Sequence, residues 1–456
     1  MNSSKHSVKE SDHFKHLWMP FTYYNDQIEN PPLVIERGEG VYIFDQSGKR
    51  YMDAIGSWWT SIFGHNHPYI TNAVKTQLDK IEHVMMAGFI SEPALRLSKL
   101  LGAILPGDLQ RIFYSDDGST AVEVALKIAL QYHALRNDTR SEFVSFDGGY
   151  HGDTLGAMSV GSIPAYHALF HDTFKKQHFA SSPYCYRCPA GCVKEHCNAE
   201  CMDSLEAILQ SRGEKIAACI FEPMVQGAVG MRIYPSKVLK RIFSLCKKYN
   251  ILTIADEVAM GLGRTGKLYA CDHAEQTPDI MCLAKGLTGG YLPLSATVVS
   301  ESIFDEFKGT FGSDRIFNHG HTFTGNPLAT AAACAAINLL QISNIPESLD
   351  AICRKFDDGV RAFDKYDIIG DVRVLGLVGA MEIVRDKKTK EAPRAESRFT
   401  WRVSQKALDM GLIIRPLGNI LYFMPPFITS KDQLDEMFFI TNKALKETLD
   451  EQYATI

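Results

Sequence analysis

Along the middle of this chain, short runs of β-branched and apolar residues alternate with stretches in which apolar positions recur at helical spacing. RIFY (111–114), EFVSF (142–146), AACIF (217–221), ILTIA (251–255) and ATVVS (296–300) lack the in-out alternation of a half-exposed strand, so they predict buried parallel strands. Between them, STAVEVALKIALQYHA carries Val122, Ala125, Leu126 and Ala129 on one helical face. Strands and helices alternating in this way predict an α/β fold built from βαβ units.

The ends read differently. LVIERGEGVYIFDQSGKRYMDA places Gly38, Gly40 and Ser47-Gly48 between short strand-like runs, which predicts a meander. After the small-residue helix LATAAACAAINLLQ, helical patterns mix with short strands such as VGAMEIV and end in a helix. Both ends are therefore expected to build a smaller α+β domain, from residues 1–70 and 336–456, around a large domain at 71–335. RDKKTKEAPRAESR (385–398) is the one stretch that reads as a linker.

Composition narrows the function more than the fold. With 48 basic and 53 acidic residues dispersed over 456 positions, the chain has no charge patch suited to nucleic acid or to an anionic membrane, so small molecules are the expected partners. The first residues, MNSSKHSVKESDHFKHLW, lack an apolar secretory core, and no run reaches the length of a membrane span, which predicts a cytoplasmic protein. Eleven cysteines are an odd count for a disulfide framework, and Cys219, Cys246, Cys282 and Cys334 lie in apolar runs where reduced thiols pack as small hydrophobes.

In an open parallel sheet, ligands bind beyond the carboxyl ends of the strands. After RIFY comes SDDGST, which puts backbone N–H groups and hydroxyls at a helix N-terminus suited to a phosphate. After EFVSF comes DGGYHGDT, where glycines admit a ligand and Tyr150 offers an aromatic face. Glu222 follows AACIF, while Asp256 and Glu257 follow ILTIA. A carboxylate such as Asp256 favours the protonated form of a pyridine nitrogen, which is what turns pyridoxal phosphate into an electron sink, and Val258 is placed to pack beside a ring. Lys285, after the apolar run DIMCLA, is the amine that could hold such a cofactor and act as a base. Each feature alone has a plain structural explanation; their succession on strand ends carries the reading.

With these residues assembled, the chain resembles the class III aminotransferases, from HLWMPFT (16–22) to IRPLGNILYFMPP (414–426), through the core ILTIADEVAMGLGRTGKLYACDHAEQTPDIMCLAKGLTGGYLPLSA. The resemblance implies fold type I, a large domain with a mostly parallel seven-stranded sheet plus the smaller domain, with pyridoxal 5'-phosphate as cofactor and Lys285 as the catalytic residue. It further implies that Gly118 and Ser119 bind phosphate, that Tyr150 stacks on the ring and that Asp256 meets its nitrogen. Thr322 would reach the cofactor of a second subunit, making a homodimer with shared active sites.

Within the class, GSWWTSIFGHNHP, GYHGDTLGAMSV, Asp256-Glu257-Val258-Ala259, HGHTFTGNPLA and IRPLGN are similar to the branch that aminates 8-amino-7-oxononanoate in biotin biosynthesis. That similarity implies Arg415 as the receiver of the substrate carboxylate, with Phe21, Trp58, Trp59, Tyr150 and His321 around the substrate. For Trp59 an ordinary core position is nearly as good an account. Phe21 replaces a tyrosine common in relatives using S-adenosylmethionine, and His321 replaces a proline; similar replacements occur in relatives using lysine, so both donors stay open. A broad ω-amino-acid:pyruvate aminotransferase is the alternative activity.

One segment departs from the class. SSPYCYRCPAGCVKEHCNAECMDSLE packs Cys185, Cys188, Cys192, Cys197 and Cys201 into 17 positions, with two, three, four and three residues between them. Dense thiolates suit zinc or an iron–sulfur cluster, although these spacings match no standard pattern, and the alternative is a loop of reduced thiols packed over the active site.

Overall fold

The computed structural model describes residues 16–454 apart from 174–176 and 194–195. Seven strands form the central sheet: β1 (Leu109–Ser115), β2 (Glu142–Phe146), β3 (His178–Ala180), β4 (Ile216–Phe221), β5 (Leu252–Asp256), β6 (Ile280–Leu283) and β7 (Ser295–Ser300), in spatial order β1-β7-β6-β5-β4-β2-β3. The pairs β6–β5, β5–β4, β4–β2 and β2–β3 are parallel.

ATVVS is not a parallel strand, because β7 runs antiparallel to both β6 and β1, and RIFY is not a buried parallel strand either, because β1 lies at the sheet edge, is paired there with β7, and leaves Arg111 exposed. Every residue of β7 is buried, as in the parallel β4, so hydrophobicity carries no information about direction. The short strand β3 at the sheet edge was not anticipated from the sequence either.

Helix α1 (Gly118–Leu135) covers one face, and its Val122, Ala125 and Ala129 pack with Ile254, Ile280 and Cys282 of the sheet. Helix α2 (Ser236–Lys248) covers the other through Leu239, Ile242 and Cys246. With both faces covered, ligands can reach the sheet only at its ends.

Helix α3 (Pro327–Ile342) begins with Asn326 accepting the N–H groups of Leu328 at 3.0 Å and Ala329 at 3.1 Å. Its alanines permit close approach to Pro68–Leu78, to Glu92–Gly102 and to the turn at Lys285–Thr288, so α3 buttresses the lysine from behind. Residues 335 and 336, between which the sequence reading set a domain boundary, both lie inside this helix.

The meander forms as expected from Ile35–Glu39, Tyr42–Asp45 and Arg50–Asp53, all antiparallel. The chain end adds a fourth strand: Leu412–Ile413 pairs in parallel with Arg50–Asp53, Ile413 opposite Asp53. A further sheet, Ile369–Leu375, Val378–Ile383 and Ile420–Phe423, packs under the long helix α4 (Lys431–Ala454). No single described helix is long and apolar enough to cross a membrane. Cys219, Cys246, Cys282 and Cys334 are free and buried.

Candidate active site

A cavity of about 730 Å³ opens beyond the carboxyl ends of the parallel strands, and Gly118, Ser119, Tyr150, Asp256, Lys285 and Trp59 all line it. The expected residues of β1, β2, β5 and β6 thus converge on one space. At its base, α1 starts with Asp117 as a capping box, its carboxylate accepting the Thr120 N–H at 2.9 Å, a cap worth about 1 kcal/mol. Asp117 takes the N–H groups of Thr120 and Ala121, while Gly118 and Ser119, the first two residues of the helix, line the cavity at a helix N-terminus that favours an anion.

Gly118 and Gly152 close this cradle. A Cβ on Gly118 would lie 2.6 Å from Cγ1 of Val258, and one on Gly152 would collide with Ser119. Val258 thus abuts the start of α1. Ser119 Oγ lies 2.8 Å from Thr154 Oγ1 and accepts the Thr154 N–H at 3.1 Å, so Thr154 completes the cradle, a residue that the sequence reading left without a role. Small residues, unpaired N–H groups and hydroxyls are the donor set that a phosphate ester requires.

Asp256, at the end of β5 and 6% exposed, is held rather than free. Its Oδ1 accepts the Val258 N–H at 3.1 Å and its Oδ2 lies 2.7 Å from His151 Nδ1, whose Nε2 is 3.3 Å from Ser145 Oγ. His151 is therefore a second missed residue. Glu222, the carboxylate expected at the end of AACIF, is held by two backbone groups, its oxygens accepting the Tyr150 N–H at 3.1 Å and the Gly227 N–H at 2.8 Å. Burial, partly opposed by His151, pushes its carboxyl up to about 7. Glu257, by contrast, turns away to accept the N–H groups of Ala270 and Cys271 at 3.0 and 2.8 Å.

The Glu222 shift has a measurable consequence. A carboxyl raised from its ordinary 4.5 to about 7 binds more protons folded than unfolded, so its stabilising contribution is complete at acidic pH and lost as pH rises through about 7. Thermal stability is expected to fall over that interval, by at most about 1.4 kcal/mol per pH unit for one proton. Glu222→Gln should flatten this part of the curve; an unchanged slope by calorimetry would assign it elsewhere.

Lys285 heads a short turn directly after β6. Burial of its amino group lowers its pKa, while Asp256 and Glu222 oppose that shift. A larger neutral fraction makes the amine a better nucleophile and base. Its Nζ sits 5.1 Å from the ring centroid of Trp59, which is 5% exposed and donates its indole N–H to Tyr422 Oη at 3.2 Å. Trp59 is thus both a packed core residue and a wall of the cavity.

Tyr150 donates its hydroxyl to Asp153 at 2.8 Å and lies nearly parallel to His167, 12° between planes. Tyr166 links this ring to Phe21, and Phe21 meets Trp58 edge-on, with centroids 5.5 Å apart. Above Trp58, at 4.4 Å from its centroid, lies the guanidinium of Arg415. No carboxylate pairs with Arg415 among the described residues, which leaves its planar fork open to one.

The tryptophans sit on an unusual backbone. Gly56, Ser57, Trp58 and Trp59 have φ of 55, 45, 66 and 76°, a left-handed turn in which three residues carry side chains. Each of these costs about 1–2 kcal/mol, so the neighbouring structure must hold them there.

Thr322 is exposed and does not line the cavity of its own chain. His321 lies beside it with Nδ1 2.7 Å from Asp116 Oδ2, next to the phosphate-type cradle.

None of the described residues of the cysteine segment lines the Lys285 cavity. Cys197 and Cys201 are buried, and the Cys201 thiol is pushed up to about 12 by burial and by Cys188, Cys197 and Cys185 nearby. Among the described residues, no three His, Cys, Asp or Glu side chains are arranged to hold a metal ion. The segment is anchored instead through Arg187, which donates to Glu382 at 2.7 Å and to the Lys390 carbonyl at 2.6 Å. Lys390 belongs to the stretch read as a linker, which is therefore packed against this segment.

Comparison with known proteins agrees with this geometry. The family model for the class III aminotransferases matches residues 23–445. A relative from Geobacter sulfurreducens, named adenosylmethionine-8-amino-7-oxononanoate aminotransferase, is 42% identical over 92% of this chain and 93% of its own. The crystal structure of the enzyme of that name from Methanocaldococcus jannaschii superposes with a TM-score of 0.91 at 37% identity, covering 96% of this chain and 98% of that one. An amine transaminase from an uncultivated Pseudomonas species, in its pyridoxal-phosphate-bound form, gives 0.90 at 32% identity over 95% and 99%. A lysine and an aspartate on adjacent parallel strands, a helix N-terminus below them and a match spanning nearly every described element have one common explanation: the chain belongs to the class III aminotransferases.

Proposed function

We propose that this protein transfers an amino group to 8-amino-7-oxononanoate, giving 7,8-diaminononanoate in biotin biosynthesis, with pyridoxal 5'-phosphate as cofactor. The observation that carries the acceptor is the unpaired Arg415 guanidinium over Trp58, set apart from Lys285 by an aromatic wall. That wall suits an aliphatic chain with a carboxylate at its far end. Relatives sharing about 40% identity over most of the chain bear the name of this activity.

When bound, pyridoxal phosphate supplies an electron-withdrawing pyridinium that delocalises charge from the reacting carbon. Gly118, Ser119 and Thr154 would hold its phosphate, Tyr150 would cover its ring, and Asp256, oriented by His151, would favour the protonated ring nitrogen. Lys285 would hold the cofactor, and its buried amine, with a lowered pKa, would move the proton on the reacting side of the cavity. Thr322 reaches the phosphate of a partner's cofactor across a homodimer, and the enzyme works in the cytoplasm.

A donor screen with 8-amino-7-oxononanoate as acceptor, comparing S-adenosylmethionine with lysine, tests the assignment. Diaminononanoate is expected from one of the two. Product from neither, with turnover of ω-amines and pyruvate instead, would replace this reading by a broad ω-amino-acid aminotransferase. Arg415→Ala is expected to raise KM for the oxononanoate on the order of a hundredfold, with much less effect on the first half-reaction of an amine that has no carboxylate. Equal effects on both would remove Arg415 from carboxylate recognition.

A further inference from the structure

The left-handed turn at Gly56–Trp59 places two cationic groups at once: Arg415 lies against Trp58 and Lys285 against Trp59, 4.4 and 5.1 Å from the ring centroids. Because these rings belong to consecutive residues, the turn fixes how far the carboxylate-reading arginine stands from the reacting lysine. The topology reinforces this. Arg50–Asp53 and Leu412–Ile413 are a parallel pair, Asp53 opposite Ile413, and the chain leaves one strand into the tryptophan turn and the other into Arg415.

What holds the turn is Asp53, at 2% exposure. Its Oδ1 accepts the Ile55 N–H at 3.2 Å. Its Oδ2 accepts the Ser57 N–H at 2.6 Å and the Ser57 hydroxyl at 2.8 Å, and lies 3.1 Å from His65 Nε2. One carboxylate thus gathers both sides of a backbone that three non-glycine residues would otherwise leave. Asp53 lines no part of the Lys285 cavity.

We infer that Asp53 is a positioning residue for acceptor length: by clamping the left-handed turn it sets the spacing between Arg415 and Lys285, and so selects keto acids whose carboxylate and carbonyl are separated by a matching carbon chain. This rests on the acceptor reading above. A carboxylate at the wrong distance must either leave Arg415 or pull the carbonyl from the lysine, and either loss falls on kcat/KM.

The test uses the holoenzyme with 8-amino-7-oxononanoate and its homologues one carbon shorter and one carbon longer. Each rate is normalised to the first half-reaction with 1-phenylethylamine, which has no carboxylate to place. Wild type is expected to favour the nine-carbon acceptor at least about tenfold over either neighbour. Asp53→Asn should bring that ratio below about threefold and alter the near-ultraviolet circular dichroism of the tryptophans. Ser57→Ala, which removes only the hydroxyl contact, should give an intermediate ratio and keeps the test open if Asp53→Asn does not fold.

A wild-type enzyme indifferent to length, or variants that retain its ratio, overturns the inference. A wild type that makes no product from the nine-carbon acceptor overturns the acceptor reading instead. The same comparison with ω-amino acids of graded length then judges the turn on its own, and an unchanged profile in both variants counts against it.

Discussion

Lys285→Ala is expected to lose turnover on the order of 10⁵-fold or more, together with the visible absorption band of a lysine-linked pyridoxal cofactor. The size follows from the double duty assigned to one amine. It would hold the cofactor covalently, and the same buried amine, with its lowered pKa, would move the proton. Its nearest charged neighbours, Asp256 and Glu222, are engaged with His151 and with two backbone N–H groups. Lys285→Arg should do no better, because a guanidinium stays protonated and cannot replace the amine. Phosphate retention separates cofactor loss from chemical loss: the cradle of Gly118, Ser119 and Thr154 is intact in Lys285→Ala, so the variant should still bind pyridoxal phosphate, now released by mild dialysis. A small amine added to the loaded variant should restore part of the proton transfer. Turnover at even one per cent of wild type with the absorption band retained would refute the role given to Lys285.

Much of this site could be read from the chain because its parts follow a local rule. Each functional residue stands at or within a few positions of the end of a central-sheet strand, and the strand itself is visible as a short apolar run. Gly118, Tyr150, Asp256 and Lys285 were accessible in that way, and all four line one cavity.

What escaped depended on pairing across long separations. His151 is in the same loop as Tyr150, yet its use depends on Asp256, 105 positions away. Glu222 was visible as a carboxylate at a strand end, but its burial against the Tyr150 and Gly227 N–H groups was not. The antiparallel course of Ser295–Ser300 was hidden because a strand covered on both faces is apolar throughout whichever way it runs. Nothing in GSWW signals a left-handed turn beyond its glycine, since the restraint comes from Asp53 and His65 on either side. For the cysteine segment, Cys185, Cys188 and Cys197 lie near the buried Cys201, yet among the described residues no three side chains are arranged to hold a metal ion.

Asp256→Asn is the substitution expected to separate electronic from positional effects most clearly, with a loss on the order of 10³-fold in turnover and little change in cofactor affinity. The Asp256 carboxylate is buried at the end of β5 and would favour a protonated ring nitrogen placed beside it; an amide of nearly the same shape would not. Phosphate binding at the start of α1 is untouched, so cofactor content measured after gel filtration should stay near wild type. His151→Gln tests the same network one step out. His151 sits 2.7 Å from Asp256 Oδ2, and removing it leaves the carboxylate its charge while withdrawing the contact that orients it. The expected loss is about tenfold, the scale of one hydrogen bond to a charged group. The two substitutions together should lose little more than Asp256→Asn alone, because His151 acts through the carboxylate. If the losses multiply instead, His151 contributes independently of Asp256, and the arrangement at the end of β5 is two separate contacts.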